Sequence, residues 1–253
     1  MFLFKKKKVV LNCYTYRPDV YSYFPIEKSS KHIPEWWKNL PNQIYLTEDT
    51  FMQAPTMKSC VGFVNYYNCA IAIPMWSDCK IITNTQKNEI NWLFSDQATI
   101  AMSHHHGQKG EYLLNSESSY AHMKIDTPWL FQCEEEVNFL FSGNTWSLDT
   151  PEKIIIPPGI INYKYQNATN INMFIKMDNT ISLLNAGIPY VHVFPMTERE
   201  IEIKTHFVDY QQYMAIYSTG VTNFFNKSYY KHKKIMQDKE KLSKCPVSHL
   251  FRR

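Results

Sequence analysis

Glycine is scarce in this chain, with seven residues in 253 against fifteen Phe, seventeen Tyr and six Trp. That balance excludes a disordered chain and suits half-buried sheet surfaces. Catalytic signatures of high specificity are also missing. The six cysteines, Cys13, Cys60, Cys69, Cys79, Cys133 and Cys245, include no CxxC and no paired metal spacing. They read as reduced packing residues in a cytosolic setting, and zinc held by thiolates is not expected. No apolar run approaches the roughly twenty residues needed to cross a bilayer. The opening MFLFKKKKVV puts its charges after a very short apolar run, the reverse of a signal peptide, so the expectation is a soluble protein that is not secreted.

What the chain has is charge at its ends. The net charge is +4. Lys5, Lys6, Lys7 and Lys8 carry +4, the stretch from Lys227 to Arg253 carries +7, and the body between is left at −7. A nucleic-acid binder normally places its basic patch on the folded face that meets phosphate. Polyanion contact is therefore expected only through the tails, at Lys5 to Lys8 and at Lys231, Lys233 and Lys234. Solvation of exposed ends is the plainer role for the same lysines.

Between the ends, short β-rich runs recur at spacings of roughly ten residues. Val9 to Tyr16 alternates as a strand and Arg17-Pro18-Asp19 turns it. Ala70 to Ile73 and Ile81-Ile82 flank Pro74, Ile90 to Phe94 follows, and Tyr120 to Trp129 and Phe131 to Phe141 supply further strands. From Ile154 to Ile203 the pattern is densest. Ile154 to Ile156 stops at Pro157-Pro158-Gly159, Ile160 to Tyr165 resumes, and Asn167 to Asn170 turns. Ile171, Met173 and Ile175 then alternate, Ile181 to Leu184 and Tyr190 to Phe194 follow, and Ile201 and Ile203 close the series. The expected fold is mainly β: an antiparallel jelly-roll-like β-sandwich over residues 9–208, with a basic arm at 1–8 and a helical basic extension at 209–253.

Two helical features decorate that body. In His32 to Pro41, Pro34 opens and Pro41 stops a short helix carrying Trp36 and Trp37. Adjacent helical residues point about 100° apart, so one ring plugs the sheet, or the pair anchors a partner. Beyond Thr205, Tyr210 to Tyr217 and Phe224 to Leu242 read as helices, the second with Phe225, Tyr229 and Met236 on one stripe. That stripe packs on the body or on a neighbouring subunit. Leu250 and Phe251, between charges at the end of the chain, suit docking.

Chemistry has two candidate stretches. Ser103 to Glu111 holds His104, His106 and Glu111 in an HxHx4E spacing. It resembles the first metal motif of cupins, whose imidazoles and carboxylate suit Zn, Fe or Mn. The resemblance places a further histidine in a PxGxxH segment, and the matching Pro157 and Gly159 are followed by Asn162 instead. His122 and His192 could replace it only if the fold brings them close. Glu134-Glu135-Glu136 is the most acidic cluster of the body. Consecutive strand residues face opposite ways, so these read as solvated turn or edge charges.

The segments HIPEWWKNLP, TMKSCVGFV, AIPMWSD, IIPPGIINYKYQNATNINMFI and NAGIPYVHVFP together resemble an uncharacterised protein family carried by large tailed phages of marine cyanobacteria and by some bacteria. The resemblance covers roughly residues 9 to 208. It implies a phage setting, in the virion or the infected-cell cytoplasm, and transfers no catalytic residue. The expectation that follows is a non-enzymatic virion or assembly component without a cofactor, contacting other subunits or copies of itself. The alternatives are a cupin-like metal enzyme or metabolite- or sugar-binding jelly roll, and a nucleic-acid-associated protein acting through its tails.

Overall fold

The computed structural model describes residues 7–47, 50–86, 89–95, 102–104, 120–148, 153–219 and 226–244. Along the chain run β1 (Val9–Thr15), α1 (Pro18–Tyr23), β2 (Glu27–Lys28), α2 (Glu35–Lys38), β3 (Gln43–Thr47), β4 (Thr50–Pro55), α3 (Val61–Cys69), β5 (Ile71–Pro74) and β6 (Cys79–Asn84). There follow β7 (Glu89–Phe94), β8 (Met102–His104), β9 (Tyr120–Gln132), β10 (Asn138–Gly143), β11 (Ile154–Ile155), β12 (Gly159–Asn162) and β13 (Ala168–Lys176). The last elements are β14 (Ile181–Leu184), β15 (Pro189–Pro195), β16 (Ile201–Phe207), α4 (Tyr210–Thr219) and α5 (Asn226–Lys244).

The expected β-sandwich is present. One sheet runs β11-β13-β9-β1-β16, with β8 also paired to β9, and the other runs β12-β10-β15-β5-β2. Strand alternation sends every second side chain into the space between them. Val9, Leu11 and Cys13 of β1, Met123 and Ile125 of β9, and Ile171, Met173 and Ile175 of β13 meet Ile71 and Ile73 of β5 and Val191 and Val193 of β15 in one cluster. Each such aliphatic side chain contributes roughly 1.5–3 kcal/mol of transfer free energy. Trp129 fills the same interior and donates its Nε1–H to the Phe24 carbonyl at 3.2 Å. Two smaller sheets stand beside the sandwich, β14-β6-β7 and the hairpin β3-β4.

Several local expectations change. β1 and β16 pair in parallel, Val9 opposite Ile201 through Thr15 opposite Phe207, so the sandwich is antiparallel except at this edge. Arg17-Pro18-Asp19 starts helix α1, because Pro18 at its first turn needs no amide donor. Tyr120 to Trp129 and Phe131 belong to one thirteen-residue strand, paired with β13 along most of its length and, on its other edge, with β8 near its start and β1 near its end. The extended run from Ile160 ends at Asn162, whose side-chain oxygen accepts the Lys164 N–H at 3.1 Å and turns the chain. Ala168 already belongs to β13, with a bulge before Asn170. In the tight turn before β15, Gly187 sits at φ +81°, a conformation that a Cβ disfavours.

The helical extension lies against the body. Asn167 donates through Nδ2 to the Ile216 carbonyl at 2.6 Å and to Thr219 Oγ1 at 2.8 Å, closing the end of α4. Helix α5 is held by Lys233 to Glu136 at 2.7 Å and Glu240 to Lys164 at 2.6 Å. Its body-facing stripe is thus Lys233, Met236, Gln237 and Glu240, polar except for Met236. Phe225 lies outside the described residues, as does the side chain of Tyr229.

Candidate functional site: an aromatic cap over a buried histidine

The outward face of the β12-β10-β15-β5-β2 sheet carries a row of directly opposed residues. Glu27 faces Ala72, Ala72 faces His192, and His192 faces Ser142. Val191 and Val193 point into the core, so His192 between them points out. It is nonetheless fully buried, because α3 lies over it. Tyr66 of α3 meets His192 Nδ1 through its hydroxyl at 2.9 Å. The rings of Tyr66 and Tyr67 stand 5.3 and 5.5 Å from the imidazole.

Helix α2 and the segment after β10 complete the cap. Trp37 stacks on Phe63 at 5.0 Å and 13°, and Trp36 meets the edge of Phe63 at 5.7 Å. Trp36 Nε1–H donates to the Trp146 carbonyl at 3.0 Å, and the Trp146 ring closes on Phe63 at 5.1 Å. Phe63 is buried at the centre. Lys58 adds a cation 5.3 Å from the Trp37 ring centroid. Pro34 caps α2 in extended conformation and Glu35 sits in its first turn, as the sequence motif requires. Both tryptophans, half-buried, pack on one shared phenylalanine.

Under this cap several buried polar atoms have no hydrogen-bond partner: Ser29 Oγ, His32 Nε2, Tyr67 OH, Trp37 Nε1 and His192 Nε2. Buried polar groups are ordinarily paired, and each exception costs about 1–3 kcal/mol. Burial lowers the His192 pKa to about 3, helped by the nearby His32. His32 is lowered for the same first reason, and burial pushes Tyr66 up to about 12. His192 is a neutral imidazole at ordinary pH, hydrogen-bonded at one nitrogen and enclosed. The arrangement suits holding a small polar molecule such as water. It does not suit moving protons to and from a bulky substrate, which would have to reach His192 past α3.

The histidines singled out from sequence are dispersed. His122 points outward from the other sheet, since Met123 and Ile125 are its inward neighbours, and its Nε2–H donates to Asn172 Oδ1 at 3.0 Å. His122 and His192 thus stand on opposite outer faces of the sandwich and do not fit one Zn, Fe or Mn centre. His104 takes register opposite Met123, while its side chain, His106 and Glu111 lie outside the described residues. Among the described residues no group of three or more His, Cys, Asp or Glu is placed to hold a metal ion. Asn162, at the position where the cupin pattern has histidine, is 3.0 Å from Asn138 Oδ1 through its amide nitrogen.

The acidic cluster lies in the turn between β9 and β10, with Glu134 and Glu136 exposed as expected and Glu135 partly so, and two of its carboxylates are ion-paired. Glu135 pairs with both terminal nitrogens of Arg199, whose guanidinium also reaches the Lys7 and Lys8 carbonyls. Glu136 takes Lys233, and these cations hold both carboxyls below their usual range. Lys8 pairs with Glu200 at 2.7 Å. Of the lysines proposed for polyanions, Lys8 and Lys233 are therefore engaged within the chain. Lys7, Lys231 and Lys234 are exposed, and Lys5 and Lys6, like Leu250 and Phe251, lie outside the described residues. A cleft of about 570 Å³ opens beside this network between Lys7, Asn12, Glu134, Arg199 and Lys204. His206 stacks on Tyr14 at 4.8 Å and donates to Asn12 Oδ1 at 2.9 Å.

The residues of the cap that sequence reasoning missed are Phe63, Tyr66, Tyr67 and Trp146. Phe63 and Tyr67 are spaced i, i+4 within CVGFVNYYNC, a helical signal hidden among residues that favour strands. Cys13, Cys79 and Cys133 are buried free thiols and Cys60 and Cys69 exposed ones. No helix among the described residues is long and apolar enough to cross a membrane. No protein-family model and no curated protein matches the chain.

Proposed function

We propose that the chain is a structural or assembly component of a phage particle, working through protein–protein contacts in the virion or the infected-cell cytoplasm. The observation that carries this reading is the β3-β4 hairpin. Its two strands pair with each other and with no other strand among the described residues. Ile44, Tyr45, Leu46 and Met52 on it are 49%, 64%, 55% and 64% exposed. Neighbouring strand residues face opposite ways, so both faces of this ribbon are apolar. A two-stranded ribbon alone in water is marginally stable at best, and exposed apolar surface of this kind marks an interaction site.

The base of the hairpin is built to hold it out. Thr56 N–H donates to the Asn42 carbonyl at 3.1 Å and Thr56 Oγ1 donates to the Pro41 carbonyl at 2.5 Å. Lys58 donates to the Lys38 carbonyl, tying the base to α2 and the aromatic cap. The cap makes a firm mount, the sandwich is the scaffold, and the ribbon is the working surface. The likeness to proteins of large tailed phages agrees with this division. Tandem mass spectrometry of purified virions and assembly intermediates of the encoding phage is the test. Recovery of this chain in several copies per particle is expected, and its absence from both preparations would sink the reading.

A further inference from the structure

The two edges of the β3-β4 ribbon differ. Between the pairs Tyr45–Gln53 and Thr47–Thr50, β4 holds one residue more than β3, a bulge on its own strand, and it ends in Pro55, which has no amide to donate. Bulges and prolines keep a strand edge from recruiting another strand. β3 has neither. Its five residues, Gln43-Ile44-Tyr45-Leu46-Thr47, include no charge and no proline, and its outer edge pairs with no strand among the described residues.

The order of side chains on β3 says what fits that edge. Read from either end, it runs polar, aliphatic, aromatic, aliphatic, polar. An antiparallel copy turned about a two-fold axis at Tyr45 sets Gln43 opposite the partner's Thr47, Ile44 opposite the partner's Leu46, and Tyr45 opposite the partner's Tyr45. Every cross-strand pair is then like with like, and such opposed residues share a face about 4.5–5.5 Å apart. Within one copy Tyr45 already opposes Gln53, and Ile44 opposes Ala54. The tyrosines at the axis are thus flanked by a glutamine on each side, and each Ile44 lies between its own Ala54 and the partner's Leu46. A strand of unrelated sequence has no need of this symmetry, whereas a two-fold contact requires a patch that complements itself.

We propose that β3 pairs with β3 of a second copy of the chain, joining two ribbons into one four-stranded antiparallel sheet, an inference that rests on the assembly reading above and names its partner. A ribbon of two strands lacks the third strand that independent stability requires, and the pairing supplies it. No charge on β3 repels the incoming copy. Main-chain hydrogen bonds along the free edge hold the two together, as in other strand additions. The contact is isologous and closes on itself, so it yields a dimer and not a ring or an open series of copies.

Sedimentation velocity of the full-length chain tests this with the wild type and two variants at the axis, Tyr45→Lys and Tyr45→Glu. Tyr45 is 64% exposed, so neither variant disturbs the core. The wild type is expected to show a concentration-dependent equilibrium of monomer and dimer, with nothing larger. Either variant alone sets two like charges directly opposite each other, which destabilises a cross-strand pair, and is expected to weaken dimerisation roughly 30-fold or more. Mixed together they are expected to form a one-to-one dimer within roughly tenfold of the wild-type affinity, because opposite charges then meet at the axis. A wild type that stays monomeric overturns the proposal, as does one that grows beyond a dimer. So does a variant that dimerises like the wild type, or a mixture that gives no dimer, since position 45 would then not face itself. Circular dichroism of each variant, matching the wild type, shows that loss of association is not loss of fold. Particles that contain the chain while the purified chain never dimerises leave the assembly reading standing and sink this one alone.

Discussion

Acid should loosen this fold through one residue before its carboxylates matter. His192 has an ordinary value of 6.5 and a folded value of about 3, because burial disfavours its cation and His32 adds a like charge. The unfolded chain therefore takes up the proton first. Stability tied to the neutral imidazole is fully present above the unfolded value and is lost as pH falls toward the folded one. One pKa unit corresponds to about 1.36 kcal/mol, so lowering the pH from about 7 to about 5 removes roughly 2 kcal/mol through this group. His32, also lowered by burial, adds in the same sense. Asp19, Glu135, Glu136 and Asp178 are held below the usual carboxylate range. Their contribution is present above the unfolded carboxylate value and disappears only in more acid solution, so they do not blur this window. The assay is urea unfolding followed by tryptophan fluorescence at both pH values, on the wild type and on His192→Gln, whose amide can still meet Tyr66. The wild type should lose about 2 kcal/mol more than the variant between the two conditions. Equal losses would refute the reasoning, since they would mean that His192 is charged or solvated in the folded state.

Three further outcomes follow from the same contacts. Phe63→Ala removes the ring shared by Trp36, Trp37, Tyr67 and Trp146 and should cost about 4 kcal/mol in a denaturant titration; a loss below about 1 kcal/mol would mean that the cap is not part of the cooperative fold. Gly187→Ala forces a Cβ into φ +81° and should cost about 1–2 kcal/mol, read as a lowered midpoint with unchanged denaturant slope. Glu136→Gln removes the carboxylate that holds Lys233; it should change global stability by less than about 1 kcal/mol while speeding trypsin cleavage within α5. Cleavage at the wild-type rate would show that α5 is held by other contacts.

Strand positions were legible where alternation is local. Ile171, Met173 and Ile175 announce the inward face of β13, and Val9, Leu11 and Cys13 that of β1. Sheet membership was not legible, because pairing is decided by partners far along the chain. The run from Ile154 to Ile203 supplies strands to both large sheets and to the small β14-β6-β7 sheet, and β16 returns to lie parallel to β1. Glu135 and Glu136 are surface turn charges as the sequence suggested, but their ion pairs were not legible, because Arg199 and Lys233 arrive from later elements. The β3-β4 ribbon escaped notice since its connection lacks the Asn-Gly or Gly signals of tight hairpins. Trp36 and Trp37 were found by their bracketing prolines, but their common partner Phe63 sits on a helix whose composition resembles a strand.

The central claim is that the outward β3-β4 ribbon is where this protein works, and hydrogen–deuterium exchange tests it most directly. Amides of residues 43–55 are compared between the dilute purified chain and the chain within assembled particles. The account predicts fast exchange in the dilute chain and marked protection in the particle, with β9 and β13 unchanged between the two. Equal exchange of the ribbon in both states would contradict it.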